Sequence, residues 1–261
     1  MQMKHVVIGY GNLGYCLTRE ISKTKTDAVY VLSSHTGWSY PTSIQKILDC
    51  KPDHVWVTVG AGSVEQGNLD YTPFSDLHIR LPMELAQKLN PEATLHLFST
   101  DYVHDPFKSL YALSKSHMEQ AITILGRDNT YVYRIGSLYG TYKPEKCFPY
   151  KLKKNSLIKE IKLPLNLICP TPTDWLAEKL IDMLDCYENL KDTLIVSPRG
   201  YTTVQTWGEL ILDRKVEDCG FDTNRPEKND FSPEYTFNPS WLDLWEARKD
   251  VWKGILNKLT P

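Results

Sequence analysis

An α/β fold, a doubly wound parallel sheet with a small lobe attached, is what this sequence predicts, and three observations predict it. Apolar runs near residues 4–9, 28–33, 54–59, 93–100, 130–136 and 193–197 alternate with helical patterns, the order that builds a parallel sheet covered on both faces. The first run ends in a glycine-rich turn that opens a helix. The fourth ends in hydroxyl-bearing residues, shortly before a tyrosine and a lysine four positions apart. At 261 residues the chain can bury a sizeable core as one α/β unit with a small second lobe. No repeat or low-complexity tract divides it, and the Pro-rich points near 170–172 and 233–239 read as local turns.

The first strand, HVVIG (5–9), runs into Gly9-Tyr10-Gly11-Asn12-Leu13-Gly14 and a helical pattern through Ile21. Strand, glycine turn and helix is the context of the Rossmann dinucleotide fingerprint. Gly9 would permit the tight turn, Gly11 the approach of a pyrophosphate, and Gly14 close packing of helix on strand. Asn12 and Leu13 would offer helix N-terminal N–H groups to the anion. A glycine turn that holds no ligand is the alternative. The second strand ends in Leu32-Ser33-Ser34-His35, with no carboxylate to bind the ribose hydroxyls of NAD. Ser33, Ser34 and His35 tolerate a 2′-phosphate, which favours NADP with NAD still open, although no arginine stands ready to clamp that phosphate. Gly60 and Ala61, just after the third strand, complete the expected cofactor wall, unless 33–38 is simply a polar loop.

The fourth strand, ATLHLFST (93–100), ends in Ser99-Thr100-Asp101, and hydroxyls at the end of a parallel strand face the ligand crevice. In YALSK, Tyr111 and Lys115 leave one face of a helix a turn apart. A phenol titrates near 10, so it exchanges protons near neutrality only with help, and the Lys115 cation would give that help by lowering the Tyr111 pKa. Ser99 and Thr100 are one residue apart, so a shift of one position at the strand end would exchange which of them faces the site.

FSTDYV, YALSK, RIGSLYG (134–140), Pro170-Thr171 with Asp174-Trp175-Leu176-Ala177, and IVSPRGYTTVQTWGELI (195–211) together resemble the extended short-chain dehydrogenase/reductases. Within them the chain looks most like the dTDP-4-dehydrorhamnose reductases, over roughly residues 3–211. The resemblance implies an NAD(P)H-dependent reductase of a nucleotide-linked 4-keto-6-deoxysugar. Thr100, Tyr111 and Lys115 would be its catalytic residues, with Lys115 also holding the nicotinamide ribose. Ser99, Thr100, Asp101, Tyr102, Tyr111 and Thr171 would bind substrate. The chain also departs from that pattern. Only Tyr10 separates the first two glycines, where the family usually has two residues. The segment between Thr100 and Tyr111 is short, which suggests a trimmed substrate-covering loop. His78 stands where an asparagine usually hydrogen-bonds within the active-site scaffold, as its replacement or as a structural histidine. Tyr102 follows Asp101 where the related dehydratases carry a glutamate, so elimination lacks one of its acid/base pair. Two alternatives stay open: a nucleotide-sugar 4-epimerase, and a non-catalytic dinucleotide-binding regulatory subunit.

Residues 1–140 and 170–199 are expected to form the nucleotide-binding domain, and 141–169 with 200–261 the substrate lobe. The net charge of −2 and the lack of a long apolar span point to neither nucleic acid nor membrane as partner. Six scattered cysteines (Cys16, Cys50, Cys147, Cys169, Cys186, Cys219) form no metal pattern and read as buried reduced thiols. The N-terminus enters a core strand with no cleavable signal ahead of it, from which a cytoplasmic protein is expected. Seven lysines between Lys143 and Lys162, opposed by Glu145 and Glu160, form either a patch for the substrate's diphosphate or a solvated loop. Trp241, Trp245 and Trp252 recur at helical spacing with Ile255 and Leu259, as core packing or as a homodimer contact.

Overall fold

Strand β1 (Lys4–Ile8) lies inside a six-stranded sheet whose every pairing is parallel. The computed structural model describes residues 2–24, 27–60, 70–184, 193–222 and 236–259. After β1 come helix α1 (Asn12–Ile21), β2 (Ala28–Leu32), α2 (Ile44–Asp49), β3 (His54–Val57), α3 (Leu81–Lys88) and β4 (Thr94–Thr100). Helix α4 (Leu110–Leu125), β5 (Thr130–Ile135), α5 (Phe148–Ser156), α6 (Thr173–Asp182), β6 (Thr193–Ile195), α7 (Val204–Leu212), α8 (Trp241–Glu246) and α9 (Lys249–Asn257) follow. The strand order is β6-β5-β4-β3-β1-β2. From β1 the chain steps out to β2 and then returns to β3 on the other side of β1. The order therefore reverses at the carboxyl ends of β1 and β3, where open α/β sheets open a ligand crevice.

The sheet is buried on both faces, as parallel sheets are, and period-2 alternation divides its side chains between two cores. Val6, Ile8, Val55, Leu95, Leu97 and Val132 pack with α3 and α4 through Leu81, Leu85, Met118 and Ile122. Val7, Trp56, Phe98 and Tyr133 pack on the opposite face with Leu17 of α1 and Trp175, Leu176 and Leu180 of α6. On that face lies a stack of buried aromatic and histidine rings. His5 is 4.7 Å from His54, and Trp56 is 3.7 Å from His96. Its polar atoms are matched within the stack: His54 Nδ1 to His96 Nε2 at 3.1 Å, His96 Nδ1 to the Tyr133 hydroxyl at 2.8 Å, and Trp56 Nε1–H to His5 Nδ1 at 3.2 Å.

A third core gathers Tyr139, Leu152, Leu163, Ile168, Trp207, Trp241, Trp245 and Trp252, with Ile255 and Leu259 packed against it. The C-terminal tryptophans are thus interior packing. Short strand pairs edge this region, among them Leu167–Ile168 with Thr202–Thr203. The described cysteines are all free, but they are not all buried: Cys16, Cys147 and Cys169 are, Cys50 is half-buried and Cys219 is exposed. Cys219 follows the two-residue strand Glu217–Asp218. Cys186 lies outside the described residues, as does part of the Pro-rich stretch at 233–239.

Candidate active site

The glycine turn follows from steric limits at two positions. Gly9 has φ +105°, and a Cβ there would lie 2.6 Å from the Val59 backbone nitrogen at the end of β3. A Cβ on Gly14 would run into the Gly9 carbonyl oxygen. Both glycines are therefore fixed by packing within the protein. Gly11 differs, because a Cβ built on it meets nothing within 4 Å. Gly11 is also the N-cap of α1, and no side chain caps that helix. Its first N–H groups, those of Asn12, Leu13 and Gly14, remain available to an anion. Thr58, absent from the sequence-based site, braces the turn by donating to the carbonyls of Ile8 at 3.1 Å and Gly9 at 3.0 Å.

A cleft of about 760 Å³ opens over this turn. Gly9, Gly11 and Gly60 line it from the strand ends, Ser33, Ser34 and His35 from the end of β2, and Trp38 and Tyr40 beyond them. This volume falls in the range of small-molecule and cofactor sites. Ser34 and His35 are exposed at its mouth, while Ser33 is buried and its main-chain N–H and C=O engage the Thr36 hydroxyl. The one-residue turn through Tyr10 leaves the cleft over it open. The Asn12 side chain, in contrast, is already engaged: Oδ1 accepts from Lys143 N–H at 2.8 Å and Nδ2 donates to the Lys143 carbonyl at 3.0 Å. Only its main chain can serve a ligand. Ala61 lies outside the described residues. Trp38 gave no sequence signal beyond an apolar residue after a turn glycine, and only folding brings it to the cleft.

Thr100 ends β4 in extended geometry, its hydroxyl 2.9 Å from an Asp101 carboxylate oxygen. Helix α4 starts at Leu110 because the Ser109 hydroxyl accepts from Ala112 N–H, and it stops at Gly126, whose φ of +59° ends the helical path. This start places Tyr111 and Lys115 one turn apart on the side of the helix that faces β4. The Thr100 hydroxyl lies beside the Tyr111 phenol, close enough to act against the rise in its pKa. Rings of His78, Phe74 and Tyr102 meet the Tyr111 ring edge to face at 5.7, 6.1 and 6.3 Å. Lys115 is buried and donates to the Phe98 carbonyl at 2.7 Å. Thr100, Tyr111 and Lys115, eleven and four positions apart in sequence, thus share one site.

The electrostatics differ from the sequence-based expectation. Burial pushes Tyr111 up to about 12, the Asp101 carboxylate adds to the rise, and only the Thr100 hydroxyl opposes it. Burial brings Lys115 itself down to about 8, against the opposing charge of Glu119 one turn along α4. A phenol with this pKa keeps its proton at neutral pH.

His78 is buried within a π-helical stretch, Ser75–Arg80, a distortion that often marks functional positions. Its Nδ1 lies 2.9 Å from the Ser114 hydroxyl, which donates to the Tyr111 carbonyl at 2.7 Å. Burial, helped by Lys115, lowers its pKa to about 2, so His78 is a neutral brace for the Tyr111 turn and not a proton carrier. Asp101 and Tyr102 are buried beside Thr100. Ser99 is buried too, and its hydroxyl finds no partner among the described residues. Thr171 stands apart from the expected substrate set: it is fully buried, and its hydroxyl donates to the Cys169 carbonyl at 3.1 Å. That bond gives it a packing role, because β-pairing of 170–172 with 137–139 turns it inward. Among the described residues, no cluster of His, Cys, Asp or Glu could hold a metal, and no helix is long and apolar enough to cross a membrane.

No protein-family model matches the chain, and no curated protein matches it by sequence. Solved structures do. The dTDP-4-dehydrorhamnose reductase of Bacillus anthracis, solved in complex with NADP, superposes with a TM-score of 0.78 at 19% identity, over 95% of this chain and 97% of that one. A dTDP-4-dehydrorhamnose reductase from Clostridium acetobutylicum gives 0.74 at 22% identity, over 98% and 100%. The UDP-glucuronic acid 4-epimerase of Bacillus cereus, in complex with UDP-glucuronic acid and NAD, gives 0.73 at 16% identity, over 97% and 100%. Sheet order, glycine turn and nearly full-length superposition together give this chain the Rossmann-type fold of the extended short-chain dehydrogenase/reductases, similar to that of the dTDP-4-dehydrorhamnose reductases.

Proposed function

We propose that the protein is an NADPH-dependent reductase of a nucleotide-linked 4-keto-6-deoxysugar, with NADH as a second cofactor. The observation that carries this reading is the meeting of three residues in one site: the Tyr111 phenol beside the Thr100 hydroxyl at the end of β4, with Lys115 one helical turn away and buried. The cofactor fits the chain: Gly11 leaves open space where a pyrophosphate would lie, α1 presents uncapped N–H groups to it, and Ser34 and His35 face the ribose end without a carboxylate. The bound nicotinamide supplies the hydride. Thr100 orients the substrate carbonyl, and Tyr111, its proton held by burial and by Asp101, delivers that proton to the carbonyl oxygen as charge develops there. Lys115, fixed to the Phe98 carbonyl, keeps α4 and the end of β4 in register and offers its remaining N–H groups to the nicotinamide ribose. Residues 1–140 with 170–199 would form the cofactor domain, and 141–169 with 200–261 the lobe over the sugar nucleotide, in a cytoplasmic enzyme.

A 4-epimerase would use the same three residues, and the likeness to the Bacillus cereus epimerase fold keeps it as the second reading. A non-catalytic subunit would need no Tyr111 held against Thr100. The test is a panel of nucleoside-diphosphate 4-keto-6-deoxysugars with NADPH and NADH. Cofactor oxidation with one of them supports the reductase. Conversion of a non-keto sugar nucleotide to its 4-epimer, with no net cofactor oxidation, would replace it.

A further inference from the structure

Lys143 belongs to the loop that leads into α5, yet it reaches back to the glycine turn. Its Nζ donates to the Tyr10 carbonyl at 3.1 Å, in the middle of the turn itself. Its main chain is held from both sides by Asn12, the first residue of α1. The same Asn12 amide lies 3.3 Å from Cys147 Sγ, where α5 begins. Next to Lys143, the Tyr142 ring stacks on Tyr15 of α1 at 4.0 Å and 3°, and the Lys143 ammonium sits 5.4 Å from the Tyr142 ring centre. This loop is therefore fixed against the N-terminus of α1.

Lys143 and Lys146 line the cleft together with Gly9 and Gly11. One wall of the space beside Gly11 is backbone N–H, and the other carries ammonium groups. A helix N-terminus contributes only about half a unit of positive charge, which leaves much of a diphosphate's charge of about −2 unmatched. Among the described residues two carboxylates line the cleft: Asp76 pairs with Arg80 at 2.9 Å, and Asp70 accepts from Thr72 N–H at 2.9 Å, a bond that leaves its charge in place. With Asp76 neutralised by Arg80, Asp70 is the described cleft carboxylate left to set against the two lysines.

We propose that Lys143, seconded by Lys146, closes the cofactor's diphosphate against the Gly9–Gly14 turn, so that these two lysines serve the dinucleotide and not the sugar nucleotide. The assignment rests on the dinucleotide site proposed above and adds residues from outside the glycine fingerprint to it. It also accounts for the one-residue turn: with Tyr10 alone between the glycines, the Tyr10 carbonyl is where the lysine anchors.

The test uses the full-length protein and the fragments ADP, AMP and adenosine beside NADPH and NADH. Lys143→Ala should weaken ADP and NADPH about 10- to 100-fold, the range of a lost charge-assisted contact, and leave adenosine unchanged. Lys146→Ala should give a smaller loss of the same pattern. Lys253→Ala, on the exposed side of α9, should change nothing. Lys143→Gln keeps a donor for the Tyr10 carbonyl without the charge, and it reads the same quantity if Lys143→Ala loses its fold. ADP affinity within twofold of wild type in a folded Lys143 variant overturns the assignment, as does an equal loss of ADP and adenosine. A wild-type protein that binds neither NADPH nor NADH overturns the dinucleotide site, and this proposal with it. Wild-type binding that survives both lysine changes overturns the lysines alone.

Discussion

Lys115 Nζ and the Phe98 carbonyl are joined by a buried hydrogen bond of 2.7 Å that ties the middle of α4 to the end of β4. Phe98 precedes Ser99 and Thr100, so the bond holds the strand end that carries the site hydroxyl against the helix that carries Tyr111. Lys115→Met should therefore act on stability as well as chemistry. Removing the donor leaves a buried carbonyl without this partner, at a cost of about 1–3 kcal/mol, and turnover should fall too. Denaturant unfolding and single-turnover kinetics on the same variant check both. Unchanged stability would show that this bond does not hold the two elements together.

Tyr111→Phe keeps the ring that packs among His78, Phe74 and Tyr102 but removes the proton. Reduction should slow about 10²- to 10⁴-fold, with cofactor affinity and melting temperature nearly unaltered. Near-normal hydride transfer in this variant would sink the mechanism.

Because Tyr111 sits near 12 and Lys115 near 8, the alkaline limb of kcat/KM for reduction should follow Lys115. The ammonium is present below about pH 8 and lost above it, so the rate should decline as pH rises through that value while Tyr111 still holds its proton. A limb that begins only above pH 10 would mean that Lys115 keeps its charge in the free enzyme.

The glycines of the turn should separate binding from folding. Gly11→Val projects into open cleft space, so it should abolish NADPH binding while leaving the melting temperature close to wild type. Gly14→Ala meets the Gly9 carbonyl and the Thr58 hydroxyl, so it should destabilise the fold by about 1–3 kcal/mol. Titration of cofactor together with thermal unfolding distinguishes the two. A folded Gly11→Val that binds normally would move the pyrophosphate elsewhere.

The histidine stack should make the protein sensitive to acid. His5, His54 and His96 are each lowered, chiefly by burial, His54 to about 4. Their unfolded value is near 6.5, so the unfolded chain binds protons first. The stability they allow is fully present above about pH 6.5 and is lost as pH falls toward 4, with His54 alone contributing on the order of 3 kcal/mol. Unfolding free energies at pH 7.5, 6, 5 and 4.5 check this. A flat profile would mean that the stack accepts protons without opening, whereas His54→Gln or His96→Gln should flatten it in a protein that still folds.

The sequence by itself determined the six sheet strands, the glycine turn and the YxxxK helix, because each is a local pattern: runs of apolar residues, a turn that only glycine can make, and a spacing that puts two side chains on one face. Thr100, Tyr111 and Lys115, which the family resemblance names as catalytic, stand in these local patterns, and the fold brings them to one place. What tertiary structure decided depends on distance and burial. Whether Lys115 tunes Tyr111 is set by how far apart the two charges fold and by how much water each keeps, and here burial raises one group and lowers the other. Thr171 and Asn12 look like ligand contacts in sequence, but neighbours from distant segments, the Cys169 carbonyl and Lys143, take up their side chains. Trp38 entered the cleft unmarked by any motif, and Lys143, marked only as one of a run of lysines, reached the glycine turn because contacts between residues more than a hundred positions apart, such as Asn12 with Lys143, exist only once the chain has closed on itself.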